Sequence, residues 1–176
     1  MLLPVSSLNR PPVELEDEIF AFCKELRFVR LPNNLTAIPM GCFDSCSLLI
    51  DVPIPGTVRE VRASALNGCS SLLSLDLSEN VNVIQIFTCA GCTALKTVAI
   101  RSSSPDLRIG DGVFYNCPSL ETLKVYPWIF PKLFHAVDSN LGIDDYQPNF
   151  MYKFYLKYEH QLALYRQQQQ QQQQQS

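Results

Sequence analysis

Cys42 and Cys46 stand in a Cys-x-x-x-Cys spacing, and Cys89 and Cys92 in a Cys-x-x-Cys spacing. Close thiolate pairs on tight turns are what a tetrahedral zinc site uses. A thiol can instead serve as a nucleophile, but it then needs a base within reach to draw off its proton. The only two histidines, His135 and His160, belong to the C-terminal segment, away from all of these cysteines. The acidic run Glu14 to Glu18 is interrupted by Leu15, which falls on an apolar period described below, so it reads as a solvated face more than a metal site. The Gly110-Asp111-Gly112 turn resembles part of a phosphate loop, yet no lysine follows it as a Walker motif requires. The residues assign no catalytic group, no cofactor and no metal, and the chain is expected not to be an enzyme.

The cysteines make better sense as positions in a repeat. Cys-x-x-Leu pairs occur at Cys23/Leu26, Cys46/Leu49, Cys69/Leu72, Cys92/Leu95 and Cys117/Leu120, with successive cysteines 23, 23, 23 and 25 residues apart. Apolar residues follow each leucine at the third and fifth positions: Val29 and Leu31, Val52 and Ile54, Leu75 and Leu77, Val98 and Ile100, Leu123 and Val125. Eight residues before each cysteine stand Leu15, Ile38, Val61, Ile84 and Ile109; three before it stand Phe20, Phe43, Leu66, Cys89 and Phe114. The alternation around Val29 and Leu31 suits a short strand with Arg30 outward, because strand side chains alternate between faces. One such strand cannot bury its own face. Stacking the units sets strand beside strand at about 4.8 Å in a parallel ladder and turns each apolar position into a column. The cysteine column is then interior packing. A second extended segment is expected at "LTAI", "VREV" and "VNVIQI", followed by a single-turn helical piece carrying the Phe20/Phe43 position.

"IPMGCFDSCSLLIDVPIP" (Ile38 to Pro55) and "IGDGVFYNCPSLETLKVYP" (Ile109 to Pro127) resemble the BspA-like class of leucine-rich repeats, whose units run close to Ile-Gly-x-x-Ala-Phe-x-x-Cys-x-x-Leu-x-x-Leu/Val-x-Ile/Leu-Pro. The resemblance covers about Val13 to Pro127. It implies an α/β repeat fold, a leucine-rich-repeat solenoid with parallel strands, short helical turns and a C-terminal helical cap, and a scaffold that binds other macromolecules. Several positions depart from the pattern. Cys89 replaces the usual aromatic, Ser78 and Arg101 replace the strand-ending proline seen at Pro32 and Pro55, and "RSSSPDL" in the fourth repeat carries two extra residues. Pro53, inside an expected strand, must cost a ladder hydrogen bond or mark an irregularity.

Past Pro127 the repeat stops. Met151, Phe154, Tyr155, Tyr158, Leu162 and Tyr165 fall on one face of a helix. The apolar stretch Trp128 to Val137 is expected to cap the last repeat and to receive that helix. The chain thus divides into an N-terminal tail (1–12), the solenoid (13–127), a helical cap (128–166) and a polyglutamine tail (167–176). With 47% hydrophobic residues it can bury a sizeable core, and a net charge of −3 with a pI near 5.3 lacks the basic footprint of nucleic-acid binding. No stretch reads as a signal peptide or membrane span, so an intracellular, cytoplasmic location with seven reduced cysteines is expected. The expected function is that of a protein-interaction scaffold or adaptor, monomeric, whose partner-binding row is the outward strand positions: Phe28, Arg30, Asp51, Ser74, Asp76, Thr97, Thr122 and Lys124, with Pro53 and Ala99 between them. The alternative is a structural protein that oligomerises through the tyrosine-rich helix and glutamine tail.

Overall fold

The computed structural model describes residues 11–126 together with Ile129, Lys132, Leu133 and Ala163. The 1–12 tail up to Arg10, the tyrosine-rich helix and the glutamine tail lie outside the described residues. So does the 128–166 cap, apart from those four residues. The described chain winds as a parallel β-solenoid of about four turns.

Two parallel sheets line it. One joins β1 (Ala37–Ile38), β2 (Glu60–Val61), β4 (Val83–Ile84) and β6 (Arg108–Ile109) in the order β1-β2-β4-β6. Of these, β1, β2 and β4 fall in the second extended segments expected from the sequence, and β6 adds a fourth. The other joins β3 (Ser74–Leu77), β5 (Thr97–Ile100) and β7 (Thr122–Val125), with Leu75 opposite Val98 and Val98 opposite Leu123. The period sets this register, since equal spacing puts equivalent residues side by side. The two extra residues of "RSSSPDL" are absorbed between β5 and β6, so that Val83 still pairs with Arg108.

The inward columns form one core. Leu72, Leu75, Leu77, Leu95, Val98 and Ile100 are buried, as are Ile38, Val61 and Ile84 from the opposite sheet. Burying each such side chain contributes about 1.5–3 kcal/mol. Phe20 and Phe43 stack at 5.5 Å in the aromatic column. Ile129 and Leu133 are buried against the same core, so the chain beyond Pro127 does meet the solenoid.

The helical turns expected within the repeats require correction. Residues 11–126 contain no helix. Where a helical turn was expected, each repeat has two residues of positive φ. These are Glu18 and Phe22, Gly41 and Ser45, Ser64 and Gly68, Phe87 and Gly91, and Gly112 and Asn116. A left-handed residue turns the peptide over, so helical bonding cannot propagate past it. The N–H groups go to the next repeat instead: Gly41 N donates to Ala63 O (2.9 Å), Phe43 N to Ala65 O (2.8 Å) and Ser45 N to Asn67 O (2.7 Å). The same trio recurs at Ser64, Leu66 and Gly68, and at Phe87, Cys89 and Gly91. A non-glycine left-handed residue costs about 1–2 kcal/mol. This third ladder, together with the burial beneath it, offsets that cost.

Candidate interaction face

Six of the seven cysteines occupy the interior, and the thiols of four link repeats. Cys46 Sγ donates to Phe20 O (3.0 Å), Cys69 Sγ to Phe43 O (3.2 Å), Cys92 Sγ to Leu66 O (3.1 Å) and Cys117 Sγ to Cys89 O (3.1 Å). Each accepting residue holds the aromatic slot of the preceding repeat. Burial pushes the Cys69 and Cys117 thiols well above their ordinary range and, with help from Cys46 and Asp17, pushes Cys42 up to about 12. Cys92 is raised first by its hydrogen bond with Cys89 and then by burial. A thiol held protonated is neither a nucleophile nor a metal ligand. All seven cysteines are free, and among the described residues no three His, Cys, Asp or Glu side chains converge on one point. One expectation fails. Cys23 belongs to the same column but is exposed, because no described repeat lies before it to cover it or to offer a carbonyl.

The outward strand residues form straight rows. Ser74, Thr97 and Thr122 are in register across β3, β5 and β7, and so are Asp76, Ala99 and Lys124. Phe28 and Asp51 extend the first row upstream, but only through an isolated bridge. Phe28 is 69% exposed. Arg30 and Pro53 are exposed and belong to no strand. The sheet shrinks in the first two repeats for a reason visible in the sequence. By register, the N–H groups at positions 53 and 55 would donate to repeat one, and both positions are proline.

Arg101 is the residue that reading the outward positions alone missed. It takes the strand-ending proline position, and its guanidinium forks onto Asp76, with Nε 2.7 Å from Oδ1 and a second nitrogen bonded to Oδ2. That bond holds the Asp76 carboxyl below its usual range. Arginine in place of proline in a repeat was the available signal. Next to this pair, a cleft of about 360 Å³ opens between repeats two and three, lined by Asp51, Val52, Pro53, Ile54, Glu79 and Arg101 among others. Ser78 and Glu79 in its wall were not in the expected row. Arg101 and Lys124 also border a shallower depression with Tyr126.

These features define a class: a parallel leucine-rich solenoid presenting a mixed, open strand face. The BspA type leucine rich repeat region matches in six copies over residues 7–128, and the chain belongs to that family. Its fold is similar to the T. pallidum leucine rich repeat protein, at 28% identity and a TM-score of 0.60, covering 65% of this chain and 53% of that one. A leucine rich cell surface protein from Faecalibacterium prausnitzii A2-165 is equally similar, at 28% identity and a TM-score of 0.60, covering 73% of this chain and 33% of that one. The chain therefore spans about half the length of the first and a third of the second. A comparison with curated proteins returns no match. No helix among the described residues is long and apolar enough to cross a membrane.

Proposed function

We propose that the chain is a protein-binding module whose contact surface is the outward face of β3, β5 and β7, extended upstream by Phe28 and Asp51. The observation that carries this reading is the register: Ser74, Thr97 and Thr122 in one row and Asp76, Ala99 and Lys124 in another form a regular, shallow, chemically mixed surface. Such a surface suits macromolecular contact, whereas small-molecule sites are deep and mostly apolar. Six of the seven thiols, the groups with the greatest intrinsic reactivity, are buried, and burial holds those of Cys42, Cys69 and Cys117 protonated, which favours binding over catalysis.

Photo-crosslinking from position 97 in cells would capture the partner. Thr97→Arg with Thr122→Arg should then abolish its binding while leaving the thermal melt unchanged. Glu60→Arg with Arg108→Glu, in the opposite sheet, should have no effect. If the second pair abolishes binding and the first does not, the contact lies on the β1-β2-β4-β6 side and the proposed face is wrong.

A further inference from the structure

The strand face carries its charge in zones. Repeat one contributes Arg27 and Arg30; repeats two and three contribute Asp51, Asp76 and Glu79; repeats four and five contribute Lys96, Arg101 and Lys124, with Glu121 as the acidic exception. The acidic zone coincides with the cleft of about 360 Å³.

That cleft has a structural cause. Repeats two and three exchange one backbone bond on this face, Leu73 N to Ile50 O at 3.2 Å. Past it, none joins residues 51–55 to 74–78, whereas repeats three and four pair along all four residues of β3 and β5. Residues 51–55 belong to no strand, and Pro53 and Pro55 leave them without donors toward repeat one. The surface opens beside them, with half-buried Ile54 as apolar wall and three carboxylates at the rim.

Only one of those carboxylates is in an ion pair. Asp76 takes both arms of Arg101. Asp51 and Glu79 have no cation in contact among the described residues. Counting Asp51, Asp76 and Glu79 against Arg101 leaves a formal charge of −2 at a cleft with an aliphatic wall. Its volume is at the low end of the range of about 300–1,000 Å³ for ligand sites, room for one side chain. A long cationic side chain satisfies these features: its methylene stem lies along Ile54 while its head meets the carboxylate of Asp51 or of Glu79.

We infer that the cleft between repeats two and three is the receptor for a single Lys or Arg side chain of the protein partner. The partner segment crosses the strand face with acidic groups about 5–10 Å to either side, meeting Arg27 and Arg30 at one end and Lys96 and Lys124 at the other. This rests on the strand-face reading above and narrows it to a charge pattern, basic at the centre and acidic at the flanks.

The test is selection from a random dodecapeptide display library on the full chain at low salt. Selected peptides should carry Lys or Arg with Asp or Glu on both sides. Their affinity should fall by up to about fivefold on the Asp51→Asn, Glu79→Gln double variant, one exposed ion pair being lost, and should weaken as salt rises. Both substitutions keep side-chain shape, and an unchanged melt confirms the fold. Binders without a basic residue, or binders indifferent to the double variant yet lost on Thr97→Arg with Thr122→Arg, would overturn the cleft and leave the strand face standing. Binders indifferent to both sets, or no binders at all, would overturn both.

Discussion

Cys69 tests what ties adjacent repeats together. Its sulfur is fully buried and lies 3.2 Å from the carbonyl of Phe43. Cys69→Ala removes roughly one methylene's worth of buried surface, about 0.8 kcal/mol, and leaves the Phe43 carbonyl without this donor, about 0.5–1.5 kcal/mol. The expected loss is about 2 kcal/mol. A lone buried hydroxyl costs about 1–3 kcal/mol, but Cys69→Ser places its hydroxyl beside an acceptor already in position, so its cost should be about 1 kcal/mol. Cys23 is the control: it has the same place in the repeat, but it is exposed and, among the described residues, donates to no upstream carbonyl. Cys23→Ala should stay within about 0.5 kcal/mol of wild type. Urea unfolding followed by circular dichroism in reducing buffer measures all three, as midpoint changes at constant m. A Cys23→Ala as costly as Cys69→Ala, or a serine at 69 clearly worse than alanine, would refute the thiol-to-carbonyl link.

Leu75 lies at 2% exposure opposite Val98, so Leu75→Ala should cost about 2–5 kcal/mol, read from the same unfolding curves, and an unchanged midpoint would refute the register. The Cys42 thiol keeps its proton to about 12 when folded but surrenders it near 9.0 when unfolded. Above 9.0 the unfolded chain therefore binds fewer protons, and stability should fall as pH rises from 9.0 towards about 12. Cys42→Ala should remove up to about 1.4 kcal/mol per pH unit of that decline, and parallel stability profiles for the variant and wild type would contradict it. A Cβ on Gly110 would sit 2.5 Å from the backbone nitrogen of Ile86, so Gly110→Ala must push β6 off β4 and should lower the melting temperature by several degrees, whereas a neutral result would show that the two coils have room to part.

The columns were legible in the sequence because packing requires them: Leu72, Leu75 and Leu77 recur in Leu95, Val98 and Ile100 at a fixed interval, and a parallel ladder keeps equal positions adjacent. The turns were not. Their left-handed positions alternate between glycine and residues that carry no such signal, such as Glu18, Phe22, Ser64 and Phe87. A phenylalanine at positive φ is chosen by inter-repeat hydrogen bonding, which no local pattern records. The outward rows were legible as alternation, and the structure brings Ser74, Thr97 and Thr122 into line. The Asp76–Arg101 pair was not, because it joins residues 25 apart across two strands, one of them at a position where the repeat pattern calls for proline.

The departures from the repeat are also what shape the face. Pro32 and Pro55 end the first two strand segments, and Pro53 removes one more donor. At the equivalent positions of the next repeats stand Ser78 and Arg101, and Arg101 N donates to Leu77 O at 2.9 Å, so the ladder runs on. The sheet therefore starts at β3, where proline stops. The same arginine turns its side chain onto Asp76. The cleft lies at that boundary, with proline-held backbone on one side and paired strand on the other. An ideal repeat would have a featureless face, since every row would repeat one side chain. Here one proline too many and two too few give that face a position, a sign of charge and a direction along the axis.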